Sequence, residues 1–440
     1  MNAVKSANDT KVKVRELQRT LYLAAKEKRS RRFHALYDKI YREDVMWEAW
    51  RRVKANRGSA GVDGITIRHI VEMYGEGRFV QETREQLVSG KYRPMPVRRK
   101  DIPKGDGKST RPLGIPVIRD RLVQMAAKIV LESIFEADFK DCSFGFRPKR
   151  SAKQAIERIR QTATHGVVNW VVDVDITGYF NNIPHDKLLK LVEQRVSDRR
   201  TLKLIRQWLK AGYMEEGLFH ETTIGSPQGG VISPLLANIY LNYLDTIWEK
   251  QYIHLGTLVR YADDFVILSK SKPDALKAIQ VLKAVFRKLE LSMNTEKSKL
   301  VHLYKGQSGF DFLGFHHRRM PVLKKRGRVD HPLRSHPSKK AMKKMRAKVT
   351  EETSPRNRLY WSPERVLENL KPIIQGWRNY YASIDRSVSL RYLAKVDYHL
   401  YRRLYLYWRK KHKKSKLTPT QVFELFRRKG LKKLGGYGPL

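Results

Sequence analysis

The sequence has little cysteine, no long apolar run and few acidic residues relative to its basic ones. Cys142 is the only cysteine among 440 residues, which excludes an intramolecular disulfide and a zinc site built on cysteines. No apolar stretch approaches the roughly 18 residues of a membrane-spanning helix, and the polar N-terminus lacks the apolar segment of a signal peptide. We therefore expect a cytoplasmic protein that has no membrane partner.

The scarcity of acidic residues leaves a large positive charge. Lys and Arg number 90 against 44 for Asp and Glu, which gives a formal net charge of +46. Such an excess opposes compaction by self-repulsion unless a polyanion neutralises it. The 41% hydrophobic content is nevertheless enough for real cores. We expect a globular protein whose partner is nucleic acid, bound in a strongly salt-dependent way.

The N-terminal part predicts two or three amphipathic helices. Apolar residues recur at helical spacing between positions 14 and 53, starting with Val14, Leu17 and Leu21, and basic residues fill the opposite faces. These helices either pack against the rest of the protein or contact RNA, and the pattern supports both equally. Further on, "VRRKDIP" and "RPLGIP" indicate two strands joined by the turn "KGDGK", which together form a basic β-hairpin.

Several helix starts can be read from capping residues. Ser233 and Ser362 precede prolines and are expected as N-caps, and Asp274 is expected to cap a third helix. The apolar stripe predicted for that third helix is Leu276, Ile279, Leu282, Phe286 and Leu289. The last third of the chain is expected to be helical, with a stripe of Leu393, Val396, Leu400 and Leu404. Between 315 and 349, thirteen basic residues accompany one acid, which is typical of a polyanion-binding linker and helix rather than a core element.

Two adjacent carboxylates, Asp263 and Asp264, lie between the strand-like runs "TLVRY" and "FVILS". Asp favours turns, so a solvated turn also explains the pair. A third carboxylate, Asp175, lies on the predicted strand "NWVVDVDI" (Asn169 to Ile176), where it shares one face with Asp173. If that strand lies beside the hairpin, three hard oxygen ligands converge in the way that proteins hold Mg²⁺. Two such ions about 4 Å apart carry out nucleotidyl transfer in polymerases.

Six motifs occur in a fixed order: "KGDGKSTRPLGIP", "SFGFRP", "VDVDITGYFNNIPH", "GSPQGGVISPLLANIYLNYLD", "YADD" and "FLGF". In this order they resemble the reverse transcriptase blocks of bacterial group II intron-encoded reverse transcriptase/maturases. "NRGSAGVDG" resembles the N-terminal extension block of that family, and "LKPIIQGWRNYYA" resembles its thumb, the maturase domain. The resemblance covers about residues 45 to 410, and an ordered series is far more specific than any single motif.

The resemblance implies an α+β right-hand polymerase, with fingers and a palm built on an antiparallel sheet, followed by an α-helical thumb. The implied domains are a basic helical extension (1–50), fingers and palm (51–320), a thumb/maturase domain with its basic linker (321–412) and a short DNA-binding tail (413–440). The chain ends soon after the thumb and lacks cysteine pairs, so we expect no His-Asn-His endonuclease, as in class C members.

The resemblance also assigns roles to residues. It implies that Asp175, Asp263 and Asp264, with the backbone of Ile176, hold two Mg²⁺ ions, and that Asp173 is the less favoured acid. The implied substrates are dNTPs and a primed template. The implied dNTP contacts are Lys104 and Arg111 at the triphosphate, Phe180 under the sugar where it excludes a 2′-OH, and Gln228 at the base pair. Lys297, or alternatively Lys299, is implied as the proton donor to pyrophosphate.

Three residues of "SFGFRP" complete the expectations for the site. Phe144 and Phe146 are expected in packing, and Arg147 against the template backbone or a nearby carboxylate.

The implied function is RNA-directed DNA synthesis. The protein would copy an RNA template from a DNA primer or target with dNTPs and Mg²⁺, bind its group II intron RNA to promote splicing, and support retrohoming at the bacterial nucleoid by target-primed reverse transcription. Two alternatives stay open. The polymerase scaffold could serve only as a non-catalytic RNA-binding splicing factor, or the protein could be a domesticated relative in phage defence or spacer acquisition.

Overall fold

The computed structural model describes residues 2–103, 110–165, 168–215, 217–222, 224–225, 229–324, 327–354 and 358–435. Lys104 and Gln228 of the predicted site therefore lie outside the described residues. Within these ranges, no helix combines the length and the apolar character that crossing a membrane requires.

The principal helices run from the N-terminus to the end of the described chain. They are α1 (Asn2–Glu27), α2 (Glu43–Ala55), α3 (Glu76–Val88), α4 (Ile118–Glu136), α5 (Ala152–His165), α6 (His185–Glu193), α7 (Arg199–Leu209), α8 (Ser233–Ile247), α9 (Lys272–Lys288), α10 (Lys339–Glu352), α11 (Pro363–Tyr381), α12 (Arg386–Lys411) and α13 (Pro419–Arg428).

The strands form small sheets between these helices. They are β1 (Val97–Pro103), β2 (Thr110–Ile115), β3 (Trp170–Val174), β4 (Tyr213–Glu215), β5 (Leu218–His220), β6 (Thr257–Tyr261), β7 (Asp264–Ser269), β8 (Lys299–His302), β9 (Gly309–Phe312), β10 (Phe315–Arg319), β11 (Val322–Leu323), β12 (Val329–Asp330) and β13 (Leu333–Pro337).

The N-terminal helices are a packing element. Val14, Leu17 and Leu21 of α1 are buried, as is Trp50 of α2, and both helices pack against the apolar helix α4. Burial of these side chains away from water stabilises the docked arrangement. Of the two interpretations of the pattern, the structure therefore supports packing for the apolar faces, while the basic faces remain turned outward.

The structure contains two four-stranded sheets. The first has the order β2-β1-β4-β5 and contains the predicted basic hairpin, in which β1 and β2 pair antiparallel from Arg98↔Ile115 to Pro103↔Thr110. The second, the palm sheet, has the order β6-β7-β3-β8 with antiparallel neighbours. An antiparallel palm sheet is what the resemblance implies.

The palm sheet buries both of its faces. Val172 and Val174 belong to the large core that includes α8 and α9, whereas Val171 and Val266 belong to a second core with α5 and β9. Alternate residues of a strand point to opposite faces, so Asp173 and Asp175 lie on the α5 side together with Val171. The carboxylates thus follow an apolar strand and emerge at its end.

Two helix starts differ slightly from the prediction. The helix α8 begins at Ser233 itself, with Ile232 as the N-cap. The N-cap of α9 is Ser271, whose hydroxyl accepts a hydrogen bond from the Asp274 amide. Asp274 was therefore the wrong residue for the cap. The predicted stripe was also partly wrong, because Leu276 is 45% exposed, and the buried face of α9 is Ala275, Ala278, Leu282, Val285 and Phe286.

The basic segment after residue 315 is a core element, contrary to the prediction. Its strands form a sheet in the order β13-β10-β9, and Phe315, His317 and Ser335 are fully buried. The abundant Lys and Arg mislead because they cluster on the exposed positions of strands and of α10, where long side chains keep their charges in water.

The thumb consists of α10 to α13 around one apolar core. Ser362 caps α11 as predicted, accepting a hydrogen bond from the Arg365 amide. The thumb is tied to the palm by Asp385, whose carboxylate pairs with Arg160 of α5 and Arg334 of β13. The predicted fold class, α+β fingers and palm with a helical thumb, is confirmed, whereas the domain bounds stay a prediction.

Candidate active site

The β6–β7 hairpin places Asp263 and Asp264. Tyr261 pairs with Asp264 across the hairpin, so the turn consists of Ala262 and Asp263. Ala262 has a φ of +57°, in the left-handed region that tight hairpin turns require and non-glycine residues seldom adopt. Asp264 is the first residue of β7 rather than a turn residue. Asp263 therefore lies in the turn, whereas Asp264 lies in the strand.

The structure brings Asp175 to the same edge of the palm sheet. Val174, the last residue of β3, pairs with Phe265 of β7, so Asp175 follows directly beside Asp264. Its amide donates a hydrogen bond to the Ser298 hydroxyl at 3.2 Å, and its carbonyl accepts one from the Asn294 amide at 2.8 Å. These two bonds fix the backbone from which the Asp175 carboxylate projects.

The carboxylates at this edge repel one another. Burial raises the pKa of Asp264 to about 6, and the charges of Asp263 and Asp175 add to the rise, although the residue as a whole is exposed. Burial also raises the pKa of Asp263, with Asp175 adding to the effect and Arg260 and Arg111 opposing it. A cation placed among these groups would relieve the repulsion.

Asp173 shares this environment. Burial raises its pKa to about 7, and the Asp264 charge adds to the rise, while Lys299 opposes it. Lys299 pairs directly with Asp173 across β3 and β8. Asp173 thus has a neighbouring cation on the adjacent strand, which supports its place as the less favoured ligand.

The donor set fits Mg²⁺ in kind but is not a closed cage. Across the described residues, no three His, Cys, Asp or Glu side chains are arranged as a group that could hold a metal ion. Mg²⁺ is usually held by one or two carboxylates, with water and substrate phosphates completing the shell. The carboxylates therefore fit Mg²⁺ in kind, and the two-ion site stays a prediction.

Ile176 directly follows Asp175 in the chain. The antiparallel bridge between Ile176 and Met293 uses the backbone groups of the flanking residues, Asp175 and Thr177. The role of the Ile176 carbonyl as a backbone ligand stays a prediction.

Lys297 lies next to Asp175. Its ammonium nitrogen is 3.8 Å from a carboxylate oxygen of Asp175, and its side chain is 67% exposed. Of the two candidate proton donors, Lys297 is thus the one that contacts a proposed metal ligand, whereas Lys299 faces Asp173. The exposure of Lys297 leaves it free to move toward a bound triphosphate.

A buried arginine clamps the hairpin turn. Arg260 is fully buried, and its guanidinium binds both carboxylate oxygens of Asp245 on α8. The same guanidinium donates to the Asn238 side-chain oxygen at 3.1 Å and to the Ala262 carbonyl at 2.8 Å. The last bond ties the turn that carries Asp263 to the helix beneath it.

The "SFGFRP" loop clamps the turn from the other side. The backbone of Arg260 exchanges hydrogen bonds with Cys142 and Phe144. A Cβ atom added at Gly145 would lie 2.4 Å from the Ala262 nitrogen, so only glycine allows this close approach. The glycine of the motif thus serves the catalytic hairpin through direct backbone contact.

The other residues of this loop only partly match expectation. Phe144 is buried, as predicted, but Phe146 is 51% exposed and has a φ of +55°, so its assignment to packing was wrong. The turn at Gly145 and Phe146 directs that ring outward. Arg147 binds the Glu136 carboxylate at 2.7 Å, which selects the nearby carboxylate over the template backbone.

Phe180 lies in a 3₁₀ turn (Tyr179–Asn182) that follows Gly178. Its ring is half-buried against the main core, 5.4 Å from the ring of Tyr179. The Tyr179 hydroxyl donates to the Ala237 carbonyl at 2.6 Å. Phe180 thus rests on a fixed base and keeps part of its surface available to a substrate.

The basic hairpin reaches the site from the fingers. Arg111 of β2 is exposed, and its charge opposes the burial-driven rise in the pKa of Asp263. The backbone at Gly229, after the unassigned Gln228, lies against β2, where an added Cβ would be 2.4 Å from the Gly114 carbonyl oxygen. Gly229 and the hairpin therefore meet.

Sequence reasoning missed the clamp of Arg260, Asp245 and Asn238. A signal was present, because an arginine in the apolar strand "TLVRY" cannot be buried without a partner. The partner could not be found, since Asp245 and Asn238 lie on a helix whose docking against β6 the sequence alone does not specify.

Comparisons with known proteins agree with this geometry. Residues 102–317 match the reverse transcriptase (RNA-dependent DNA polymerase) family, and residues 342–423 match the group II intron, maturase-specific domain. The two matched ranges thus define a chain that joins a reverse transcriptase domain to a maturase domain.

Curated relatives point to the same group. Protein YkfC of Escherichia coli (strain K12) is 36% identical over 357 residues, covering 72% of this chain and 90% of that protein. Group II intron-encoded protein LtrA of Lactococcus lactis subsp. cremoris is 33% identical over 361 residues, covering 68% of this chain and 59% of that protein. The chain belongs to the group II intron-encoded reverse transcriptase/maturase family.

A solved structure, the partial Cas6-RT-Cas1–Cas2 complex, is also similar at 24% identity and a TM-score of 0.36, covering 58% of this chain and 42% of that one.

Proposed function

We propose that the protein is an RNA-directed DNA polymerase that extends a DNA primer or target along an RNA template with dNTPs. We further propose that it acts as a maturase, binding group II intron RNA to promote splicing and supporting retrohoming in the bacterial cytoplasm and at the nucleoid. The observation that carries the proposal is the placement of Asp175, Asp263 and Asp264 at one edge of the palm sheet, within a chain of this family.

The carboxylates and the Ile176 carbonyl would hold two Mg²⁺ ions, which when bound activate the primer 3′-oxygen and neutralise the departing pyrophosphate. Arg111, with Lys104, would bind the triphosphate and hold it against the carboxylate edge. Lys297, already beside Asp175, would donate a proton to the pyrophosphate. Gln228 would contact the nascent base pair.

The Arg260 clamp would keep the site ready for this chemistry. It holds the Ala262–Asp263 turn in one geometry and opposes the rise in the Asp263 pKa. A preorganised set of charges needs no rearrangement when the substrate binds, and preorganisation of this kind is a major source of rate enhancement.

Primer extension tests the polymerase proposal. Asp263→Asn combined with Asp264→Asn keeps the side-chain shapes but removes the charges. Since metal ions stabilise the transition state by several kcal/mol, and each 1.36 kcal/mol is tenfold in rate, we expect synthesis on primed RNA to fall by about 10³-fold or more. Asp38→Asn combined with Asp186→Asn, two exposed positions outside the palm sheet, is the matched control.

The same variants separate the polymerase from a splicing factor without catalysis. The proposal expects the wild type to make DNA and the double palm variant to retain RNA-dependent splicing activity while losing synthesis. If the wild type promotes splicing but extends no primer at any Mg²⁺ concentration, the polymerase half is wrong and the binding-only alternative holds.

A further inference from the structure

A groove outside the palm sheet is lined by exposed cations. The groove has a volume of about 910 Å³ and lies between α7 and the segment of Arg93, Pro94 and Pro96, with Phe219 of β5 at its edge. Its only acidic lining residue is Glu193. None of these residues belongs to the palm sheet or to the dNTP contacts proposed above.

The basic lining residues form a regular stripe on one side of α7. Arg199, Lys203, Arg206 and Lys210 recur at the spacing of one helical face, and all four are exposed. At a rise of 1.5 Å per residue, the stripe is about 16 Å long. In the part of the chain that the structure describes, none of the four side chains forms an ion pair or a hydrogen bond. The stripe therefore carries four charges with no internal partner.

The walls of the groove are fixed to each other. The opposite face of α7 is buried through Leu204, Ile205 and Trp208. The Trp208 indole donates to the Tyr92 hydroxyl at 3.1 Å, and Tyr92 donates to Asp120 at 2.6 Å. Because Tyr92 directly precedes the Arg93–Pro96 wall, the helix and the wall cannot separate without breaking these buried bonds.

An aromatic ring is held at the groove edge. Phe219 is 56% exposed, and a Cβ atom added at Gly212 would lie 2.5 Å from one of its ring atoms. The ring therefore rests on glycine backbone at the end of α7, with a face open to the groove. Its neighbour Leu218 is 67% exposed. Large exposed apolar side chains beside a charge stripe mark a binding surface rather than a solvated helix face.

We propose that this groove binds single-stranded nucleic acid, as a site separate from the polymerase cleft. A positively charged groove that tracks the backbone, combined with aromatic rings on which bases stack, is how proteins bind single strands without reading sequence. The four cations of α7 contact successive phosphates, and Phe219 stacks with one base. The site goes beyond the proposed function, because synthesis on a primed template does not require it.

Salt dependence of binding tests the site. The full chain is first loaded with a primed RNA template, which occupies the proposed polymerase active site. A fluorescent oligo(U) or oligo(dT) strand is then titrated at several salt concentrations. Each phosphate contact on a single strand contributes a slope of about −0.7 in log K against log salt. We expect a variant with Arg199, Lys203, Arg206 and Lys210 changed to Gln to lose roughly 2 to 3 units of that slope.

A matched control separates the groove from net charge. Changing Arg15, Arg19, Lys277 and Lys283 to Gln removes the same number of exposed cations, none of which is ion-paired in the described chain. The proposal expects the control to lose less than about one unit of slope. Equal losses in both variants, or no loss in the groove variant, would overturn the proposal.

Phe219→Ala provides a second, uncharged readout. Loss of one stacked base weakens binding by about 5- to 150-fold, whereas Phe219→Trp retains the stacking face and should retain affinity. Unchanged binding by Phe219→Ala contradicts the stacking contact, and stronger binding of duplex than of single strands contradicts the choice of ligand.

All these variants should extend a primed template at the wild-type rate, so a failure here is distinguishable from failure of the polymerase proposal. Comparing oligo(U) with oligo(dT) shows which single strand the groove prefers, and either preference supports it.

Discussion

The catalytic hairpin and the α7 groove use the same residue types in opposite ways. At the hairpin, Arg260 is fully buried and satisfied by Asp245, Asn238 and the Ala262 carbonyl. At the groove, the side chains of Arg199, Lys203, Arg206 and Lys210 are exposed and form no ion pair or hydrogen bond within the described chain. A buried, partnered charge fixes backbone geometry, whereas an exposed, unpartnered charge is available to a polyanion. Because the net charge of the chain is +46, the abundance of basic residues does not distinguish their roles. Whether a cation is buried and has a bonding partner indicates whether it fixes the backbone or can bind a polyanion.

The largest difference is expected between two arginine substitutions, one at the catalytic hairpin and one in the groove. Arg260→Gln leaves Asp245 buried without its partner, and breaking a buried pair in this way typically costs 3–5 kcal/mol. We expect a large loss of stability and of synthesis. Arg206→Gln in the groove should change the free energy of unfolding by no more than about 0.5 kcal/mol.

Chemical denaturation and primer extension measure both effects. Combining Arg260→Gln with Asp245→Asn removes both charges and should recover part of the lost stability without restoring the hydrogen bond to the Ala262 carbonyl, so synthesis should remain low. If Arg260→Gln is as stable and active as the wild type, the turn is not held by this clamp.

The next prediction compares two aromatic rings, Phe180 at the candidate active site and Phe219 in the groove. We expect a smaller effect here than for the arginine substitutions. Phe180→Val opens space below the proposed sugar position, and the loss of such a steric contact changes discrimination by about 1–3 kcal/mol, or about 10- to 200-fold. The ratio of kcat/KM for dNTP over NTP should fall accordingly. Phe219→Val is the control and should leave the ratio unchanged; a fall in both, or in neither, contradicts the role given to Phe180.

A pH-dependent effect concerns a buried uncharged group, His317 of β10. Burial lowers its pKa to about 3, so the folded state keeps it neutral while the unfolded state takes up a proton below about pH 6.5. Its contribution to stability is therefore complete above that pH and is lost as the pH falls, by up to about 1.4 kcal/mol per pH unit.

Urea denaturation between pH 7 and pH 4 measures this contribution. His317→Gln removes the titrating group, so the pH slope of unfolding free energy should be shallower than in the wild type. His69→Gln, at an exposed position, is the control and should retain the wild-type slope. Identical slopes in all three proteins would contradict the assignment.

Local patterns in the sequence predicted much of the site. The alternation in "NWVVDVDI" and in "TLVRY" and "FVILS" predicted Asp175 on a strand and Asp263 and Asp264 at a hairpin. The pairing of that strand with the hairpin, which brings the three residues to one edge, entered the prediction only as a condition. Strand periodicity and turn chemistry are short-range, so they can be read directly from residues a few positions apart.

Features that depend on distant packing were not predicted. Phe146 looked like a core residue but is directed outward by the loop that clamps the hairpin. The basic stripe of α7 is visible as a spacing, yet the groove needs Arg93 and Phe219 from separate segments. The strands after residue 315 were hidden by their exposed basic residues. In each case the deciding partner is remote in sequence.

The most direct test of the central claim is the structure of the protein bound to a primed RNA template, a non-hydrolysable dNTP and Mg²⁺. We predict two ions bridged by Asp175 and the Asp263–Asp264 pair, with Mg–O distances of about 2.0–2.1 Å and with the triphosphate beside Arg111. Ions bound elsewhere, or an Asp175 carboxylate that contacts neither ion, would contradict it.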